Sequence, residues 1–399
     1  MIILDICICI IAFLLGYNLV NFFSDLTKNE KSFLRKLFFF HFFIGICFSI
    51  LVGRYGGDAQ LYWSFPKMYE LNDVFNVIEK GSPSGIVYLI NYFPSHILDL
   101  SFFTGNMIYS LFGYISFIYI FFILKRIIPD TEKLKEIKLF NIPIHPWIWF
   151  LPNLHYWSSG IGKDTILFFC IALFVYSLLE FKKRFLGILL SIFIAILIRP
   201  HIMLFLVAAF GVAYLFDGYL KNYQKIFIFL LFIAAFASMF NYVVEFIRLE
   251  SLDITAIEQY ANTKASKLNQ ADSGSGIDIS GYPFPLKVFT FLYRPLFFDI
   301  NGVLAVVASF ENLILLLLTI KIVRNKPFRS LRNSNGLIKG LVFYFLIGAS
   351  LFSLILGNLG IMLRQKNAFI PYLIIFGLWI IFYNSQYSKS INNNQMGAS

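Results

Sequence analysis

The run Arg54-Tyr55-Gly56-Gly57-Asp58, with Tyr62 and Trp63 just beyond it, sets a carboxylate behind two glycines, where a hydroxyl can approach and give up a proton. A second run, His155-Tyr156-Trp157-Ser158-Ser159-Gly160-Ile161-Gly162-Lys163-Asp164, adds an imidazole, two aromatic faces and a cation. Three more follow: Arg199-Pro200-His201, then Tyr293-Arg294-Pro295 with Asp299 and Asn301, and Asn358-Leu359-Gly360 with Arg364, Gln365 and Lys366. Guanidinium forks grip phosphate oxygens in pairs, so Arg54, Lys163, Arg199, Arg294, Arg364 and Lys366 are candidate ligands of a phosphorylated group. Asp58 is the candidate general base, and His155 and His201 are candidate proton carriers. Tyr62, Trp63, Tyr156 and Trp157 offer flat faces to sugar rings. No metal-ligand cluster stands out and no cofactor is called for, because these cations can neutralise phosphate charge themselves.

Each residue also has an ordinary reading. Arg54 and Lys163 could snorkel at a membrane edge, and Asp58 could cap the helix that follows it. Interfacial belts are rich in Tyr and Trp. Glu311 sits inside an apolar run and could pair with Arg294. His41 and His145 read as incidental. The set, more than any one member, carries the case.

The elements that must position these residues are membrane helices. Of 399 residues, 58% are hydrophobic and only 14% charged, with a mean hydropathy of +0.73. A soluble chain carries about a quarter charged residues. The apolar residues fall in runs such as Ile226 to Val244 and Val303 to Ile320, long enough to cross ~30 Å of hydrocarbon at about 1.5 Å per residue. The net charge of +11 comes from basic residues in short connections, which fits the positive-inside bias and excludes a nucleic-acid binder. Cys7, Cys9, Cys47 and Cys170 lie in apolar segments and read as small hydrophobes. With Asp5 and no basic stretch before it, the first apolar run reads as a retained helix. Residues 396–399 read as a cloning remnant, leaving residues 1–395 as a single transmembrane domain.

The expected fold is an all-α polytopic integral membrane protein with about eleven transmembrane helices. The spans are approximately 2–22, 34–53, 106–126, 142–158, 165–181, 184–199, 202–217, 225–247, 303–322, 338–357 and 367–384. The span at 142–158 carries Pro143, Pro146 and Pro152 and reads as kinked or re-entrant. Basic residues concentrate on alternate connections, around Lys28 to Lys36, Lys125 to Lys138, Lys182 to Arg184, Lys221 to Lys225 and Lys321 to Lys339. That side is expected to be cytoplasmic, with the N-terminus outside and the C-terminus inside. Two long loops, 54–105 and 248–302, then lie outside. The first holds amphipathic stretches around 60–79 and 86–104, suited to the membrane surface. The second has a polar centre from Ala271 to Ser280. All five polar runs fall on the outer side, where they would share a polar cavity at headgroup depth. A lipid diphosphate would need several of its cations.

At these residues the chain resembles the bacterial exopolysaccharide and O-antigen polymerases, the EpsG/Wzy-like membrane glycosyltransferases of GT-C type. Arg54 through Asp58, followed by Tyr62, is similar to the signature in the first long outer loop of EpsG-type proteins. The runs at 155–164, 199–201 and 293–295, and from Asn358 through Arg364 to Pro371, resemble segments of membrane proteins encoded with polysaccharide genes. The resemblance implies an enzyme of the bacterial inner membrane. It would take a polyprenyl-diphosphate-linked oligosaccharide on the extracytoplasmic face and join it to an acceptor hydroxyl, alongside membrane lipid and other polysaccharide-assembly proteins. GT-C enzymes carry their acid just after the first span; here Asp58 follows the second. A flippase or transporter of the same lipid-linked sugars is the competing expectation, and a non-catalytic assembly partner a third.

Overall fold

The computed structural model describes residues 2–217, 275–396 and scattered positions between 221 and 237. The expected span over 225–247 falls largely outside the described residues, as does 271–274 of the polar loop centre. The chain divides into two compact units, Met1–Ile123 with Trp149–Arg199, and Leu124–Ile148 with Pro200–Ser399.

The first unit holds α1 (Ile2–Asn18), α2 (Lys28–Tyr55), α3 (Asp58–Met68), α4 (Leu71–Glu79), α5 (Gly85–Tyr92), most of α6 (Phe102–Ile127), α7 (Pro152–Ser159), α8 (Lys163–Leu178) and α9 (Phe185–Ile198). A capping box starts α2: the Glu30 N–H donates to Thr27 Oγ1 at 3.3 Å and the Thr27 N–H to the Glu30 carboxylate at 2.8 Å. The helix stops at Tyr55 because Gly56 and Gly57, at φ 83° and 149°, take a backbone conformation that side chains disfavour. That tight turn lets α3 begin at once with Asp58.

Helices shorter than about 12–15 residues are marginal alone, so α3, α4 and α5 depend on burial. Their apolar faces, including Ala59, Tyr62, Trp63, Val74, Val87 and Tyr88, close over Phe48, Val52, Tyr109 and Ile161. Each large side chain so buried contributes about 1.5–3 kcal/mol. After α5 the chain winds through one π-type turn, Phe93–Ile97, which includes Pro94 and ends with the Leu98 N–H donating to Phe93 O at 3.0 Å. The carboxylate of Asp5 accepts the Ser101 N–H at 2.9 Å and the Thr104 hydroxyl, stitching α1 to the start of α6.

In the second unit a two-residue hairpin, β1 (Lys138–Leu139) and β2 (Ile142–Pro143), turns at Phe140 and Asn141, both at positive φ. This corrects the expected span at 142–158. That segment gives the second hairpin strand, a short turn at Trp147–Phe150 and α7 of the first unit. Its prolines remove the amide donors that a continuous helix needs. Then come α10 (Pro200–Leu215), α11 (Phe284–Tyr293), α12 (Val303–Arg324), α13 (Pro327–Arg332), α14 (Gly336–Ile355), α15 (Leu359–Lys366) and α16 (Ile370–Met396). A Cβ on Gly340 would come within 2.4 Å of the Phe210 ring, so glycine is what lets α10 and α14 approach this closely. Gly276 bridges to Asn358 in antiparallel fashion, flanked by Ile277 N–H to Gly357 O and Leu359 N–H to Ser275 O, each 2.9 Å.

Among the described residues, five helices are long and apolar enough to cross a membrane: α1 with its extension to Phe22, α2, α6, α12 and α14. Two bent pairs, α7 with α8 at 105° and α15 with α16 at 58°, raise the number to seven if each is one span. Helices α9, α10 and α11 are apolar but shorter. The architecture is mostly helical and compatible with a multi-pass membrane protein.

Candidate functional site

In the first unit the glycine turn after α2, the residues before α5 and the start of α8 are linked through their side chains. Asp58, the first residue of α3, is exposed, and its charge acts on the hydroxyl of Tyr88, which also hydrogen-bonds with Ser84. Lys163 opens α8, donates to Ser84 Oγ at 3.2 Å and holds its ammonium 5.5 Å from the centre of the Tyr62 ring. Burial pushes the Tyr88 hydroxyl pKa up, the Ser84 bond pulls it down, and the negative charge of Asp58 pushes it up again; the net shift is upward. The next residue on α8, Asp164, pairs with Arg199 at 3.1 Å, with both side chains largely buried, tying the start of α8 to the end of α9. Asp58, Tyr62 and Lys163 are thus brought together, but the Arg199 guanidinium already faces a carboxylate.

A cavity of about 350 Å³ in this unit is lined by Trp63, Ile90, Asn91, Tyr109, Phe112 and Ile166 among others. The Asn91 amide donates to Tyr62 O at 3.0 Å and accepts the Tyr109 hydroxyl at 2.9 Å. With those groups engaged, the cavity offers mainly hydrocarbon.

Several expected site residues lie elsewhere or serve packing. Arg54 is exposed at the end of α2, with its guanidinium 5.5 Å over the Tyr55 ring. Trp63 is buried and donates its indole N–H to Leu100 O at 3.2 Å, which corrects its expected role as a sugar platform. Tyr156 packs 4.9 Å from the Phe48 ring and edge-on to Trp157 at 5.1 Å.

His155 is fully buried, stacked on Phe117 at 4.3 Å. Its Nε2 lies 2.7 Å from Trp149 O, and its Nδ1 lies 2.9 Å from Nδ1 of His41. A carbonyl only accepts, so His155 Nε2 carries the hydrogen and His155 Nδ1 accepts from His41. Both ring nitrogens are spent, and the expected catalytic role of His155 is corrected: it joins α7 to α2. His41, read from the sequence as incidental, is its buried partner.

The second unit holds the remaining cations. Arg294 forks onto Asp299, with Nε to Oδ2 at 3.0 Å and Nη2 on Oδ1. Burial opposes the Asp299 charge, but the Arg294 fork and the Leu296 N–H outweigh it and hold the carboxyl below its usual range. Lys366 is 1% exposed and donates to Leu292 O at 3.0 Å and to Asn312 Oδ1. Its electrostatic partner is Glu311, so the expected Glu311–Arg294 pairing gives way to Asp299 with Arg294 and Glu311 with Lys366. The buried ammonium of Lys366 is engaged within the protein and is not placed to meet a diphosphate. Arg364 is half-buried on α15. His201 is half-buried against the rings of Phe205 and Phe352, 6.0 and 5.9 Å away.

Ser84 and Tyr88 escaped the sequence reading, because nothing in the residues around them marks an interaction with Asp58 or Lys163. Comparison with known proteins returns no match among family models, curated proteins or solved structures.

Proposed function

We propose that the first unit carries the catalytic centre of a membrane glycosyltransferase that joins polyprenyl-diphosphate-linked sugar units on the extracytoplasmic face during surface polysaccharide synthesis. The observation that carries this reading is the exposed Asp58 on its glycine turn, linked through Tyr88 and Ser84 to Lys163. Asp58 takes the proton of the acceptor hydroxyl as its oxygen bonds to the sugar's anomeric carbon. The bond from that carbon to the diphosphate breaks, and Lys163 and Arg54 meet the charge on the departing diphosphate. Tyr62 forms the wall beneath, and the apolar cavity suits part of the lipid tail. Arg199, Arg294 and Lys366 hold the framework through their own partners. About eleven crossings, with the N-terminus outside and the C-terminus inside a bacterial cytoplasmic membrane, complete the proposal, supported by the alternation of basic connections.

A second reading, a flippase or transporter of the lipid-linked oligosaccharide, draws on the buried Lys366–Glu311 pair beside the bent helices α15 and α16. Incubating purified protein with a defined undecaprenyl-diphosphate oligosaccharide separates the two. Lengthened lipid-linked products that vanish in Asp58→Asn support the transferase. Unchanged substrate delivered across a liposome bilayer supports the transporter and removes the transferase.

A further inference from the structure

The hairpin of β1 and β2, and the stretch from the end of α12 through α13, both belong to the second unit. Lys321 joins them by donating its ammonium to Lys138 O. From Lys321 to Arg332 the chain carries five cations and no acid, and Arg324, Lys326, Arg329 and Arg332 are all exposed. Ahead of the hairpin, Asp130 pairs with Lys133 at 3.1 Å and Glu132 with Lys135, and Glu136 is the third acid of that connection.

Both pieces are rooted inward and turn aromatic rings outward. Ile137, Ile144 and Ile148 are buried at the hairpin base, with the Ile144 N–H donating to Ile137 O at 2.8 Å, while Phe140 at the tip is 77% exposed. In α13, Ser330 is buried and donates to Asn384 Oδ1 of α16 at 3.4 Å, while Phe328 is 87% exposed. A two-residue turn with positive φ at both central positions ordinarily takes Asn-Gly. Phe140 holds φ 49° there, at a cost that no burial within the protein offsets.

The hairpin follows α6 and α13 follows α12, two helices long and apolar enough to cross a membrane. Past the ends of such spans, hydrocarbon gives way to headgroups. Rings set among cations at that level complement a lipid with a negative headgroup: the rings enter the acyl boundary and the guanidinium groups meet phosphate. An acidic protein would answer the cations, but the bilayer is already in contact with both spans. We propose that the hairpin and α13 together form a contact for anionic phospholipid, gripping the leaflet in which α6 and α12 end. This contact is separate from glycosyl transfer and does not depend on it.

The test is thermal unfolding of the purified full-length protein in detergent micelles containing dioleoyl phosphatidylglycerol or an equal amount of dioleoyl phosphatidylcholine. Wild type should unfold about 2 °C or more higher with phosphatidylglycerol in about 0.05 M salt, and the gain should vanish in about 1 M salt. Arg324→Gln/Lys326→Gln/Arg329→Gln should lose most of the gain, and so should Phe140→Ser/Phe328→Ser. Lys28→Gln/Lys36→Gln/Lys182→Gln, which removes the same charge from exposed positions in the first unit, should keep it. Glycerol phosphate in place of lipid should give no gain, because it has no chain for the rings to meet. Absence of the gain in wild type overturns the proposal without any variant. A full gain in either patch variant, which would leave the cations to an acidic protein, overturns it too. So does an equal loss in the first-unit variant, or a matching gain from glycerol phosphate.

Discussion

Asp58 with Lys163 in the first unit, and Glu311 with Lys366 in the second, are the same two chemical types in opposite surroundings. Asp58 is exposed at a turn and Lys163 is half-buried, linked to Asp58 through Ser84 and Tyr88. Glu311 and Lys366 are 5% and 1% exposed and act on each other directly. Near water, a charge keeps most of its hydration, costs little to hold, and remains available to a substrate. In the interior each charge has lost its hydration and depends on its partner. The first arrangement suits chemistry on an incoming molecule, and the second suits holding helices together.

The largest expected effect sharpens the first half of that contrast. Asp58→Asn should lower glycosyl transfer by about 10²–10⁴-fold, while Tm stays within the change of an ordinary surface substitution. A large loss of stability would make Asp58 a structural cap instead. The reverse is expected of Glu311→Gln, which leaves a buried ammonium without its counter-charge and should cost about 3–5 kcal/mol by denaturant unfolding. Combining it with Lys366→Met should recover much of that loss. Additive losses would show that the two residues do not act as a pair.

A smaller effect tests the turn that exposes Asp58. Gly56→Val forces a β-branched residue into φ 83° and should cost about 1–3 kcal/mol. Activity should fall with it as Asp58 leaves its position. The smallest is electrostatic. The Asp299 carboxyl is held below its ordinary value of 3.8, so its bond to Arg294 contributes stability fully above about pH 4 and loses it as pH falls through the lowered value. Asp299→Asn should remove that part of the acid sensitivity, about 1 kcal/mol or less, as read from unfolding at several acidic pH values.

The contrast explains what could be read from the sequence. Long apolar runs announced α2, α6, α12 and α14, because a helix that is apolar on every side advertises itself by length alone. The glycine pair before Asp58 likewise announced a turn, since few other residues accept that backbone. Pairing through space left no such trace. His41 and His155 lie far apart in the chain and meet only because α7 folds inward against α2. Glu311 looked like a partner for Arg294, yet the carboxylate of Asp299, five residues along the same loop, was nearer to hand. The prolines of 142–158 were visible, but their outcome, a hairpin and a short helix, depended on packing that local sequence does not encode.

Asp5 has a consequence for how the chain is made. Its carboxylate sits in α1, but the amide and hydroxyl that satisfy it belong to Ser101 and Thr104, which are synthesised some hundred residues later. Until those residues have been synthesised, α1 waits with an unanswered charge, so its final seating is a late event in biogenesis. Nascent chains arrested before Ser101 should therefore hold α1 loosely, and chains arrested after α6 has emerged should hold it firmly.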